Sequence, residues 1–392
     1  MRILVLAPHP FYQARGTPIA VRTVLEFLSA RGDSVDVLTY PEGADIHLPN
    51  CTVHRVPRLP GLRNIRAGFS AKKVVCYGMM VVACARLVRK NRYDLIHAVE
   101  ESVFIANAMR ALSDVPYVYD MDSSLAEQLV ESRPLLGFAM PLLRRLEGLA
   151  VRRSIGVLTV CLALEEIARG HAPAQFVGRV EDTTLLSDEV MDEENESTRL
   201  PVSGNGPVAM YVGNLEPYQG IDLLLEGFVH TLTGVPEAKL VVVGGRAPDI
   251  AAYRARADEL KIGPAVTFLG PRPLSSLSGL LRQSDVVVSP RLKGLNTPMK
   301  IYSYLDSGSA VLATRLRTHT QVLDDRIALL VEPEPRALGE GLARLLADRE
   351  LREGLAARAK EYVQREHTPE AARRKLTAFY AEAERRVRRE GT

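Results

Sequence analysis

The chain has 392 residues, of which 25% are charged and 46% hydrophobic, and a formal net charge of +3. This is the make-up of a soluble globular protein of two or three domains, each large enough for its own core. Cys51, Cys76, Cys84 and Cys161 show neither metal-ligand spacing nor a disulfide framework, and read as thiols of a reducing compartment.

Met1 runs straight into the strand-like RILVLAP, which speaks against a cleavable signal peptide. The first half then alternates apolar strands with helix-period segments, the pattern of parallel α/β domains. Strands are predicted at Arg2–Ala7, Ser34–Tyr40, Cys51–Val56, Asp94–Ala98, Pro116–Asp120 and Ile155–Val160. Helices are predicted at Thr17–Arg31, Gly68–Lys90, Val103–Ala111, Ser124–Arg153 and Ala163–Arg169. The first strand leads through HPFYQARGTP, where Gly16 and Thr17 open a helix and leave backbone N–H groups available to an anion. A purely structural turn explains the same residues.

Between Ile46 and Tyr93 there are ten Lys or Arg residues and no acidic one. A solvated helix face is one reading of this run, and a surface for anionic lipid or a lipid-linked phosphate is the other. Nucleic acid is disfavoured, because no aromatic stacking pattern accompanies the charge. The longest uncharged apolar run, Val74 to Ala85, is too short to span a bilayer, so the expected location is cytoplasmic with peripheral contact on the inner membrane face.

His97, Glu100 and Glu101 end one strand, at the carboxyl edge where α/β proteins bind ligands, and His97 reads as a structural residue. Asp120-Met121-Asp122 follows the next. Asp-x-Asp after a strand can hold a metal on a diphosphate, but the motif is short and common. Asp122 either contacts an acceptor or caps the helix predicted from Ser124. The acidic stretch Ser187–Gly206 has no apolar period and reads as a linker.

The second half is the more telling. YVGNLEPYQGIDLLLEGF, KLVVVGG, VTFLG and SPRLKGLNTPMKIYSYLDSGSAVLAT follow in order from Tyr211 to Thr314, each joining a strand to a Gly turn and a helix start. This series resembles the donor half of the family 4 glycosyltransferases, retaining enzymes of the GT-B fold, and the likeness spans nearly the whole chain. It implies two Rossmann-like domains facing across a cleft, with residues 1–186 on the acceptor side and 207–367 on the donor side. Residues 187–206 would join them, and a final helix from 368 to 392 would cross back to the first domain.

The resemblance also implies roles. Gly16 and Thr17 match the loop that closes over the donor diphosphate. Asn214 and Gln219, the latter just before Gly220, stand where the family carries a phosphate-neutralising Arg and Lys. The missing charge then falls to Lys300, with Arg291 second. A Lys in a helix's first turn opposes the helix dipole, which favours a bound anion there. In the Glu-x7-Glu signature, Ser303 replaces the ribose-holding Glu and Leu295 the earlier one. Backbone N–H groups of Leu295, Asn296 and Thr297 would meet sugar or phosphate. Gly244 and Gly245 are either ligand-facing or ordinary turn glycines, and Arg272 would contact the base. Asp122 and Glu101 would face the acceptor, and Asp-x-Asp would be a decoy.

The implied activity is metal-independent transfer of a hexosyl group from a UDP- or GDP-sugar to a hydroxyl acceptor, lipid-linked or part of an envelope glycan. The nucleotide sugar is a co-substrate and no cofactor is implied. A sugar-nucleotide-binding protein without turnover, or a sugar-nucleotide epimerase, are the alternatives.

Overall fold

A computed structural model describes residues 1–13, 16–62, 65, 70–127, 138–186, 200–201 and 205–390. The chain divides into two compact units, Met1–Glu181 with Ala372–Thr392, and Asp182–Ala371.

The first unit is built on strands β1 (Arg2–Ala7), β2 (Ser34–Thr39), β3 (Cys51–Arg55), β4 (Leu95–Val99), β5 (Tyr117–Met121), β6 (Gly156–Thr159) and β7 (Val177–Arg179). They form one parallel sheet in the order β3-β2-β1-β4-β5-β6-β7. Strands β4, β5 and β6 are buried along their whole length, as expected of a sheet covered on both faces. Helices α1 (Gly16–Ala30), α2 (Ala71–Lys90), α3 (Val103–Ser113), α4 (Met140–Arg153) and α5 (Leu162–His171) make the crossovers. One core contains Cys76, Met80 and Cys84 of α2, Met109 of α3, Val151 of α4 and Leu164 of α5. The core on the other face contains Leu25 and Leu28 of α1 together with Leu376, Phe379 and Tyr380 of the last helix.

The second unit repeats the plan with β8 (Val208–Val212), β9 (Lys239–Val243), β10 (Val266–Gly270), β11 (Val286–Ser289), β12 (Ala310–Thr314) and β13 (Leu329–Val331). Their order is β10-β9-β8-β11-β12-β13, again parallel throughout. Its helices are α6 (Ile221–Gly234), α7 (Ala247–Glu259), α8 (Leu277–Leu281), α9 (Lys300–Asp306), α10 (Arg317–Thr320), α11 (Pro335–Ala347) and α12 (Arg349–Glu366). Both sheets are doubly wound. The strand order reverses beside β1 and β4 in one and beside β8 and β11 in the other, so ligand crevices lie at the carboxyl ends of those strands. This is the α/β, two-Rossmann-domain class expected from the sequence.

The last helix, α13 (Pro369–Glu390), packs on the first unit. Tyr380 Oη lies 2.8 Å from His97 Nδ1, and His97 Nε2 lies 2.8 Å from Asp120 Oδ2, all three side chains being buried. With Asp120 accepting from Nε2–H, Nδ1 is left to accept from the Tyr380 hydroxyl. His97 therefore has the structural role read for it.

Three expectations about elements change. Strand β7 was not foreseen, being short and carrying no alternation. The helix expected from Ser124 to Arg153 is helical at Leu125–Glu127 and Met140–Arg153, with 128–137 outside the described residues. Gly68 at the expected start of α2 and most of the expected linker, 187–199 and 202–204, lie outside them as well. Ser70 caps α2 in place of Gly68, its hydroxyl accepting from Lys73 N at 3.3 Å.

Candidate functional site

The second unit brings most of the donor candidates to the carboxyl ends of β8 and β11. Gly213 (φ +154°), Gly220 (+76°) and Gly244 (+104°) bend the chain there in ways that L side chains rarely adopt. A Cβ on Gly220 would overlap the Pro290 carbonyl, and one on Gly244 the Gly213 carbonyl. The loops after β8, β9 and β11 therefore touch backbone to backbone, and close packing alone accounts for Gly220 and Gly244. Gly245 likewise sits against Leu215 at φ +82°.

Lys300 projects into this cluster. Its Nζ donates to Gln219 Oε1 at 3.3 Å and lies 3.9 Å from the centroid of the Tyr211 ring. Among the described residues it meets no carboxylate. Burial, and then the charge of Arg291, hold its ammonium well below the ordinary lysine range. An aromatic face and a neutral amide offset part of the desolvation, but not all of it. Tyr211 went unremarked in the sequence because strand-end aromatics are usually core. Its hydroxyl donates to Asn214 O at 2.6 Å and so also fixes the loop.

Asn214 is exposed, its Oδ1 accepting from Glu216 N at 3.3 Å. Arg291 is largely a loop clamp, since Nε donates to Lys293 O at 2.7 Å and Nη1 to Asn296 O at 3.1 Å. Thr318 Oγ1 also donates to Asn296 O, at 2.6 Å, and Gln321 Nε2 to Leu295 O, at 2.8 Å. In a trans peptide the C=O and N–H point opposite ways. Anchoring these two carbonyls turns the N–H groups of Asn296 and Thr297 away from the anchor. Thr297 Oγ1 is buried with no hydrogen-bond partner among the described residues.

Ser303 does not join this group. It is 1% exposed, and its hydroxyl accepts from Leu185 N at 3.0 Å. The residue standing at the ribose-holding position is thus engaged in pinning the chain where it enters the unit. Arg272 is exposed beyond the end of β10. His319, deep beneath the loop, meets Ser289 Oγ at 2.9 Å and Thr314 O at 2.8 Å, and burial pushes it down to about 4.

In the first unit, Gly16 opens α1 at φ +20° and is exposed, with Thr17 half-buried after it. The loop before it is tied to residues 42–44 by Phe11 N to Glu42 O and by a reciprocal Tyr12–Ala44 pair. Glu101 pairs with Lys73 Nζ at 3.2 Å, and Asp122 is buried at the end of β5. Glu100, which the sequence places at the strand edge without a role of its own, accepts from Ser123 Oγ at 3.2 Å. Burial, and then the Glu101 carboxylate, push its carboxyl up to about 7. The two Asp of the Asp-x-Asp motif are divided, Asp120 being turned to His97. Among the described residues no group of three His, Cys, Asp or Glu is placed to hold a metal ion.

Two family models match the chain: "Glycosyl transferases group 1" over residues 192–362 and "Glycosyl transferase 4-like domain" over residues 15–177. A phosphatidyl-myo-inositol mannosyltransferase of Mycolicibacterium smegmatis is 24% identical over 93% of this chain and 90% of its own length. A D-inositol 3-phosphate glycosyltransferase of Corynebacterium glutamicum is 28% identical over 48% of this chain, a match spanning 47% of that relative. Among solved structures, sucrose-phosphate synthase of Thermosynechococcus elongatus superposes with a TM-score of 0.78 at 22% identity, covering 98% of this chain and 99% of that one. Anabaena Alr3699/HepE in complex with UDP gives 0.74 at 15% identity, covering 97% and 100%. Two glycosyltransferase domain models on two doubly wound sheets, joined to GT-B neighbours along the full length, place this chain in the family 4 glycosyltransferases of the GT-B fold.

Proposed function

We propose that the chain transfers a hexosyl group from a UDP- or GDP-sugar to a hydroxyl acceptor with retention of configuration and without a metal ion. The observation that carries this reading is Lys300, a half-buried lysine answered by a ring and an amide but by no carboxylate among the described residues, at the edge where the sheet order reverses. A diphosphate supplies the counter-charge that the fold withholds. Binding it restores the lysine toward its ordinary pKa, so it should be accompanied by proton uptake at alkaline pH.

In this reading the bond from the anomeric carbon to the diphosphate oxygen breaks as the acceptor oxygen bonds to the same carbon on the same face. The acceptor proton passes to the departing phosphate oxygen. Lys300, the exposed amide of Asn214 and the N–H groups of Asn296 and Thr297 stabilise the charge that develops there. Gln219 orients Lys300. Ser303 is 1% exposed and already accepts from Leu185 N, so the ribose is assigned chiefly to backbone groups. On the first unit Asp122 and the Glu100–Ser123 pair are assigned to the acceptor. The UDP complex of a solved neighbour supports a nucleotide donor, and the mannosyltransferase relative supports a lipid-linked acceptor. Such an acceptor fits peripheral membrane contact through residues 55–92. The structure narrows that stretch, because Arg55 is spent on Asp45 and three backbone carbonyls and Arg58 on Pro41 O. Arg63 and Arg66 lie outside the described residues.

Thermal unfolding with UDP, GDP and ADP, each with and without chelator, tests the reading. A ligand at 100 times its dissociation constant adds about 2.7 kcal/mol of apparent stability. One base should give such a shift regardless of chelator, and radiolabelled sugar should then appear in a lipid extract. No shift with any base overturns the donor assignment. Activity abolished by chelator overturns metal independence alone.

A further inference from the structure

Helices α2, α3, α4 and α5 cover one face of the first sheet. Of these, α5 carries Glu165 and Glu166, the former paired with Arg169 and Arg179, whereas in α2, α3 and α4 the only carboxylate is Glu147. It is 1% exposed and occupied inside, accepting from Ser124 Oγ at 2.9 Å and Leu125 N at 3.0 Å. The outer surface of the three helices therefore carries no negative charge of its own.

That surface is also unusually apolar. Leu142 (60% exposed), Leu146 (43%) and Leu149 (37%) follow at helical spacing along the outer side of α4, and Phe138 (83%) stands two residues before it. On α2, Val74, Val75 and Val82 are about half exposed. Arginines border the α4 stripe. Arg144 is met by Glu127 at 2.7 Å, whereas Arg145, Arg152 and Arg153 form no ion pair among the described residues. The opposite face differs. Among the described residues no large hydrophobic side chain of α1 or α13 is exposed, and α13 balances its arginines with glutamates, as in Arg386–Glu382 and Arg388–Glu384.

An exposed apolar stripe of this size on a water-facing helix calls for a partner. A second copy of the chain is disfavoured by charge. A two-fold contact sets the same patch against itself, so Arg145, Arg152 and Arg153 of both copies would meet with no exposed acid of α4 between them. An anionic bilayer meets both features at once, giving hydrocarbon to the leucines and phosphate to the arginines, whose stems reach up from an apolar surface. The helices would lie in the interface, since no described helix is long and apolar enough to cross a membrane. We propose that the α2–α3–α4 face of the first unit is a docking surface for anionic lipid bilayers, with Phe138, Leu142, Leu146 and Leu149 entering the headgroup region and Arg145, Arg152 and Arg153 meeting lipid phosphates. This deepens the membrane contact assigned above to residues 55–92 by adding the more apolar α4, and it does not rest on the transfer chemistry.

The test is sedimentation of the full chain with vesicles of phosphatidylcholine alone and of phosphatidylcholine with 30% phosphatidylglycerol, at low and high salt. Wild type should bind the anionic vesicles and be released by salt. Leu142→Gln/Leu146→Gln/Leu149→Gln and, separately, Arg145→Glu should each weaken that binding about 10-fold or more, given the apolar and charge terms involved. These side chains are exposed, so the nucleotide-dependent thermal shift should be unchanged, which separates this inference from the donor reading. Undiminished binding by both α4 variants, with loss on Lys72→Glu/Arg86→Glu/Arg89→Glu, overturns the α4 docking and leaves the α2 contact standing. No binding by wild type overturns both. A dimer in light scattering that the leucine variants dissolve identifies a second copy as the occupant instead and overturns the lipid assignment.

Discussion

The two units share one architecture but treat charge at their functional edges in opposite ways. At the edge of the first, each named acid has a partner inside the unit: Glu101 has Lys73, Asp120 has His97 and Glu100 has Ser123. At the edge of the second, Lys300 has a ring and an amide but no counter-ion among the described residues. On the proposed reading an anion completes the edge of the second unit, whereas the edge of the first is held together from within.

Substituting the lysine should break this contrast most strongly. Lys300→Ala should lower transfer by about 100- to 1000-fold and abolish the nucleotide-dependent thermal shift. The unliganded protein should be as stable as wild type or more so, because the variant removes a half-buried lysine that only a ring and an amide answer. A destabilised variant that still bound nucleotide would mark Lys300 as structural.

Acid should attack the donor unit next. His319 must stay neutral between Ser289 and Thr314, with its pKa at about 4 in the fold against an ordinary 6.5. The unfolded chain therefore binds more protons between those values. Stability should be full above about pH 6.5 and should fall by about 3 kcal/mol as the pH drops to 4. His319→Gln should flatten that slope in urea titrations across the window, and an unchanged slope would place the acid sensitivity elsewhere.

On the acceptor unit, Tyr380→Phe removes one hydroxyl and keeps the ring packing on Phe27 and Arg31. Leaving His97 Nδ1 unsatisfied in the core should cost about 1–3 kcal/mol. It should leave the nucleotide shift intact, as differential scanning calorimetry with and without ligand would show. Equal loss of nucleotide binding would erase the distinction between the two edges.

The smallest expected effect sharpens the comparison within the donor unit. Ser303→Ala should cost about 1 kcal/mol through the lost Leu185 bond, with donor KM unchanged. A rise in donor KM without loss of stability would return Ser303 to the ribose.

Much of this was legible in the sequence. Near-continuous apolar runs such as ILVLA and VAMYV mark strands buried on both faces, and the Gly turns after them mark edges where backbone meets backbone. Lys300 was legible too, as a cation in a first helical turn that lacked the family's companion charges. Tyr211 beneath it was not, because a sequence does not show which strand-end aromatic a lysine from residue 300 will cover. Glu100 and Glu101 look alike in sequence, yet a left-handed backbone at Glu100 (φ +49°) sends its side chain toward Ser123, while Glu101 pairs with Lys73.

The sequence by itself determined the two-sheet plan, the order of the turns and the excess of positive charge between Ile46 and Tyr93. Those are local properties, set by the period of apolar residues and by where glycine relieves the backbone. Only the tertiary structure decided that Lys300 meets no acid among the described residues, that Ser303 is already engaged, and that the exposed leucines of α4 share a face with α2. Each depends on contacts or burial among residues far apart in the chain, which a linear pattern does not encode.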